Sequence, residues 1–416
     1  MMKRILLFVA TLCIGSISAQ EFVQVSYGQS YKNQAYYRLS DDAVEILDNN
    51  SWDIAFSTFN DGAGIHLNES SVTFGAEAAL FPAPTNNFDD PINSANLSGR
   101  LYNDEKSWDF GAFNSTRNPN DPNDFGWGTL DAGTGVIAGD EVFALRFKDG
   151  SYKKIQIVSL AQGVYTVKYA DLDGSNENTV TIDKADFSDT DFAFLSLASG
   201  QTLPPIAIDW DLAFVRYAAP NDDGAGGVIQ IMSSGVLSAP GVEVAQADNV
   251  IIEEVEYEDY IDSLSSEIDV IGWDWKLFNN VSWELAENRA YFVKTADGAV
   301  WKLVFEEFGG SSTGNAVFTK ELVLSTGTKA ESAFSQVNIF PNPAAGDATL
   351  LFSLKNAGMA RLLVSNALGQ AVWTGSFSAQ AGLNAAILPL DGLRAGHYLV
   401  NIGLDGEYFS EKIVKH

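Results

Sequence analysis

Short runs of alternating apolar and polar residues, broken by Gly, Asn and Asp, fill most of this chain. Trp52-Asp53-Ile54-Ala55-Phe56 places Trp, Ile and Phe on one face of an extended segment and Asp and Ala on the other. Phe143-Ala144-Leu145-Arg146-Phe147 alternates in the same way. A period of two predicts half-buried β-strands. Lys148-Asp149-Gly150-Ser151 follows, where Asp-Gly suits the positive φ angles of a tight hairpin turn, and 152–157 is the predicted return strand. Long amphipathic helical periods are scarce, so the predicted fold class is all-β.

The alternating blocks recur. WDIAF at 52–56 returns as WDLAF at 210–214, and WDFGAFN at 108–114 as WDWKLFN at 273–279. FALRFKDGSYKKIQI at 143–157 returns as YFVKTADGAVWKLVF at 291–305. The offsets of 158, 165 and 148 differ only by loop-sized amounts. Three blocks in one order predict two tandem copies, 20–187 and 188–325. Residues 326–334 are mostly small and polar and read as a linker. Beyond them the pattern changes, and 350–354, 360–365, 371–375, 385–388, 398–402 and 407–414 read as strands of a small sandwich spanning 335–416.

At the other end, Lys3 and Arg4 precede an apolar run at 5–14, and Gly15, Ser16, Ser18 and Ala19 supply small residues. This is the layout of a secretory signal peptide over 1–19, with cleavage expected after Ala19. The apolar run is too short to span a bilayer, and no later segment reaches that length, so no transmembrane segment is expected. Cys13 is the only cysteine, so the mature chain must hold its fold by core packing without disulfides. A net charge of −29 argues against nucleic acid, whose phosphates need a basic face, and against attraction to anionic lipid.

Four motifs in order mark the terminal segment: Phe340-Pro-Asn-Pro343, Asn366-Ala-Leu-Gly-Gln370, Gly392-Leu-Arg-Ala-Gly-His-Tyr398 and Lys412-Ile-Val-Lys415. Together they resemble the type A sorting domain of the type IX secretion system of Bacteroidota. The resemblance implies export across the outer membrane and the type IX machinery as a partner, with the protein secreted or held at the cell surface. Both repeat copies resemble the HmuY-like family, on the WD strands, on Ile65-His-Leu-Asn68 and Ile229-Gln-Ile-Met-Ser-Ser-Gly235, and on the hairpins. That resemblance implies two tandem β domains and a haem-binding activity, with a pair of axial His in the family's founding member and Met in relatives.

Haem iron takes His, Met, Cys or Tyr in an apolar slot. Of the three histidines, His397 and His416 lie in the terminal segment, which leaves His66 and Met232 as candidate axial ligands in the body. The competing readings are a solvent-facing strand residue for His66 and a packing residue for Met232. Asp171, Asp173 and Asn176 form an oxygen-rich stretch around Gly174 that suits calcium. The twelfth position of an EF-hand loop is here Ile182, and a hairpin turn explains Asp173-Gly174 equally well. No nucleophile elbow or phosphate-cradling loop is present, and one body histidine with no cysteine argues against zinc. The expectation is an exported, non-catalytic binding protein of unknown ligand, not an enzyme and without a resident cofactor. A haemophore-like protein is the first alternative and a glycan-active hydrolase the second.

Overall fold

The computed structural model describes residues 21–59, 62–70, 77–279, 281–324, 334–354, 357–366, 371–404 and 407–416. The expected signal peptide and nearly all of the 326–334 linker lie outside them. The fold is all-β: antiparallel sheets, with a single-turn α-helix at Gly310–Thr313. The chain forms two compact units, Met1–Leu324 and Ser325–His416.

The first unit contains two large cores. One gathers side chains from 54–197, among them Phe56, Phe113, Trp127, Phe143 and Tyr165. The other joins Tyr27, Tyr37, Phe214, Trp275, Tyr291 and Phe318, so the N-terminal stretch packs with the second half of the unit. Strand pairing shows the same crossing. Glu21–Ser26 pairs with Asn315–Leu324, Asn33–Tyr37 with Leu212–Asp222, and Phe192–Ser196 with Ile54–Ser57. The expected division at 187/188 therefore does not separate two bodies. The first strands of the chain pair with strands that lie beyond residue 211.

The WD blocks explain how these pairings are held. Ile54 faces Leu195, and Leu212 faces Tyr37; the steps 54 to 212 and 37 to 195 are both 158 residues. The N–H of Asp53 reaches Leu195 O and that of Asp211 reaches Tyr37 O, so each Asp adds an extra residue opposite one partner, as in a β-bulge. Each carboxylate then accepts a backbone N–H from two residues beyond the partner position. Asp53 takes Leu197 N–H at 2.8 Å, and Asp211 takes Leu39 N–H at 2.7 Å. Lys320 secures the closing strand, donating to Leu39 O and to Asp42 Oδ1, both at 2.7 Å.

Both hairpins form where the alternation places them. Phe143–Arg146 pairs with Tyr152–Ala161, and Arg289–Lys294 with Val300–Phe308. The turn differs from the expected two-residue type. Phe147 N–H donates to Ser151 O and Gly150 N–H to Phe147 O, and the same pattern joins Thr295, Gly298 and Ala299. Only the glycines take positive φ, +85° at Gly150 and +86° at Gly298. Asp149 instead accepts from the N–H of Ser151 at 2.9 Å. This is a type I turn closed by a glycine bulge.

The second unit is a sandwich of a three-stranded and a four-stranded sheet around Leu350, Phe352, Leu362, Val364, Leu388, Val400 and Ile413. Its end motifs meet. Asn342 Nδ2 donates to Lys412 O at 2.8 Å, and its Oδ1 accepts from Val414 N–H at 2.9 Å. The Phe340–Pro343 turn is thereby pinned to the last strand, Glu407–Lys415. Residues 367–370 of the Asn366–Gln370 motif lie outside the described residues.

Candidate functional site

Ile65–Leu67, the strand carrying His66, is buried along its whole length. The imidazole packs edge-on against Trp108 and Phe192, with ring centres 5.7 and 5.5 Å away. Its Nε2 lies 3.0 Å from Trp108 O, an acceptor only, so Nε2 carries the proton and donates. Burial pushes the pKa down to about 4 and keeps the ring neutral. The solvent-facing reading of His66 is thus corrected: aromatic side chains cover the face that alternation alone leaves open.

Beside it, Glu69 is also buried. One carboxylate oxygen accepts from Asn103 N–H at 3.0 Å and the other from Ala218 N–H at 3.1 Å. Burial outweighs these bonds and pushes its pKa up to about 7. Trp108 crosses the same joint, with Nε1 donating to Ser238 O at 2.8 Å. The space left among His66, Glu69, Trp108, Phe192 and Tyr217 is about 60 Å³. Sites for cofactor-sized ligands run from roughly 300 to 1,000 Å³. His66 therefore does not fit a haem ligand: its Nε2 is engaged and the cavity admits only water-sized groups.

Met232 lines a different and larger cleft of about 350 Å³, together with Tyr31, Arg216, Trp273, Lys276, Phe278 and Trp283. One wall is the Val228–Ser238 strand; the other is the short hairpin of Lys276–Phe278 and Trp283–Leu285. Lys276 is buried between them, donating to Ser234 O at 2.5 Å and Trp273 O at 3.3 Å. Its ammonium lies 4.4 Å from the Trp275 ring centre and 4.7 Å from that of Phe308. Burial pushes its pKa down to about 7. Arg216 sits over the Tyr31 ring at 5.3 Å and donates from Nη2 to Met232 O at 3.3 Å. Its Nε has no hydrogen-bond partner among the described residues. Leu277, Phe278 and Val281 stand exposed at the rim. The signal for this cleft lay in the WDWKLFN block, which reads in sequence only as a repeat. A lysine within a run of three aromatics is the feature that distinguishes it from its counterpart WDFGAFN.

The calcium candidates form a turn. Asp171 Oδ1 is 2.6 Å from the ammonium of Lys153, and Oδ2 accepts from Asn176 Nδ2 at 2.6 Å and Ser175 Oγ at 3.2 Å. Asp173 accepts from both the N–H and the hydroxyl of Ser175. Gly174 and Asn176 take positive φ, which completes the bend. These oxygens face an ammonium and turn donors, so the hairpin reading describes them. Among the described residues no group of three or more His, Cys, Asp or Glu is placed to hold a metal.

Residues 30–172 match the family described as HmuY protein, and residues 338–416 match the secretion system C-terminal sorting domain. The protein is exported to the cell surface or beyond it. The sorting domain implies engagement with the type IX machinery. The HmuY match stops at 172, so it does not show a second copy at 188–325. Among solved structures, dimeric latent PorU from Porphyromonas gingivalis is similar at 10% identity and a TM-score of 0.18, over 68% of this chain and 31% of that one. A likeness that low carries no argument about fold. No curated protein matches this chain. No helix among the described residues is long and apolar enough to cross a membrane.

Proposed function

We propose that this is a non-catalytic binding protein, delivered by a cleaved signal peptide and the sorting domain, whose ligand enters the aromatic cleft beside Val228–Ser238. The cleft itself carries the reading. Its volume of about 350 Å³ falls in the range of ligand sites, and Trp273, Phe278, Trp283 and Tyr31 supply apolar walls. Its lining includes Arg216 and Lys276 and no carboxylate, so the carboxylate pair that glycoside hydrolysis uses does not stand there. The equal registers of the two WD strand pairs support a duplicated HmuY-like module with one strand of each copy paired into the sheet of the other.

Tryptophan emission of the exported chain, titrated with haemin, acidic and neutral oligosaccharides and peptides, tests the reading. Quenching by one class, lost in Trp283→Ala and Arg216→Gln, is expected. Release of sugar from any oligosaccharide, or no response to any class, defeats it. Haem binding is the second reading, favoured by Met232 at the cleft wall. It requires a shifted Soret band at stoichiometric haemin that is lost in Met232→Ala and kept in His66→Ala.

A further inference from the structure

We propose that the cleft takes an extended peptide of alternating apolar and acidic residues, added as a strand to the outer edge of Val228–Ser238, with an acidic side chain set against Arg216. This rests on the binding reading above and names the partner. Val228–Ser238 is the outermost strand of its sheet and pairs with Leu212–Asp222 over eleven residues without a register shift. Val236 gives both its N–H and its C=O to Gly272, on the side away from that neighbour. In an unbroken antiparallel strand the direction alternates, so Gln230, Met232 and Ser234 also turn their peptide groups outward. Lys276 and Arg216 take the carbonyls of Ser234 and Met232. Among the described residues no strand pairs with that edge.

Exposed edges are normally guarded by charges, proline or a covering segment. Val228-Ile-Gln-Ile-Met-Ser-Ser234 holds neither a charge nor a proline. Val228 and Ile229 are exposed at its outer end, and Leu277, Phe278 and Val281 are exposed on the facing hairpin. An edge left this way in an exported protein is a template for strand addition, where main-chain bonds hold the peptide and side pockets read alternate residues. Charge selects the partner. The chain carries −29, yet the group of fixed charge lining this cleft is the cation of Arg216. An acidic peptide is matched here, while a second copy of the chain brings its own excess of negative charge.

The test is fluorescence anisotropy of the full exported chain with a labelled peptide alternating Val or Ile with Glu. Two companions carry N-methyl groups on alternate residues, one in each register, and a third has Lys for Glu. Binding of the parent peptide is expected, weakened tenfold or more by N-methylation in one register and by the Lys exchange. Gln230→Pro removes an outward N–H and spares the bonds to the inner strand, so it should weaken binding as much while the far-ultraviolet spectrum stays unchanged. Equal binding of parent and both methylated peptides overturns strand addition. So does a concentration-dependent dimer abolished by Gln230→Pro, which gives the edge to a second copy. If haemin or a sugar quenches the cleft tryptophans and no peptide binds, strand addition falls and the binding reading stands; if nothing binds, both fall.

Discussion

Glu69 and His66 share one joint, and their titrations should oppose each other. The carboxyl of Glu69 is raised from 4.5 to about 7. Between those values the native state holds a proton that the unfolded state has lost, so this group makes stability fall as pH rises. The imidazole of His66 is lowered from 6.5 to about 4. There the unfolded state holds the extra proton, and stability rises with pH. Each shift spans about 2.5 in pH, worth about 3 kcal/mol at about 1.4 per pH unit. From about pH 4.5 to 6.5 the two slopes nearly cancel. Glu69→Gln should remove one of them. Relative to the parent, its stability by urea unfolding should climb by about 3 kcal/mol from pH 4 to 7. A constant loss of about 1–3 kcal/mol from the disturbed bonds to Asn103 and Ala218 would sit beneath that climb at every pH. His66→Asn should tilt the other way by a similar amount, and the double variant should return to the parent's profile. Other buried groups titrate alike in all four proteins, so the difference from the parent is the readout. Parallel profiles for parent and Glu69→Gln would refute the placement of Glu69 as a buried, titrating clamp.

Asp53→Ala and Asp211→Ala should each cost about 1–3 kcal/mol in urea unfolding, because each leaves a partly buried N–H, of Leu197 or Leu39, without its acceptor. Losses of similar size are expected from the equal geometry, and a loss at only one site would break the equivalence. Starting the mature chain at Gly28 removes Val23, Val25 and Tyr27 from the core and should cost about 5 kcal/mol or more; hydrogen exchange should show the amides of Asn315–Leu324 losing protection. Asn342→Ala unpins the terminal strand by freeing Val414 N–H and Lys412 O, and secretion assays in the native host should show less exported protein.

Strand content was readable because alternation encodes faces. WDIAF, WDLAF and both hairpins are strands where the pattern puts them, and the terminal motifs lead to a sandwich. Alternation does not encode which edge a strand joins. Nothing local in Glu21–Ser26 points to a partner almost three hundred residues away, so the sequence divides at 187/188 while the packing does not. His66 shows a similar gap. The face of its strand that carries His66 is covered by residues distant in sequence, Trp108 and Phe192, which a single-strand pattern cannot register. The cleft was hidden differently: Trp273, Phe278 and Lys276 stand in WDWKLFN, which reads locally as strand-core residues like WDFGAFN, and Tyr31 and Trp283 come from outside that block.

Closure of Glu21–Ser26 on Asn315–Leu324 also sets a timetable. A chain crossing a membrane N-terminus first delivers its opening strand long before the residues that pair with it. The loop to be closed is nearly the whole unit, and contacts this distant in sequence form late. Val23, Val25 and Tyr27 therefore wait unburied until about 320 residues have emerged, a convenient interval for chaperone capture and for threading an unfolded chain. A product cut short before Asn315 never closes, and its open strand marks it for proteolysis or aggregation. The seam thus checks that the first unit is complete, whatever follows it in the chain.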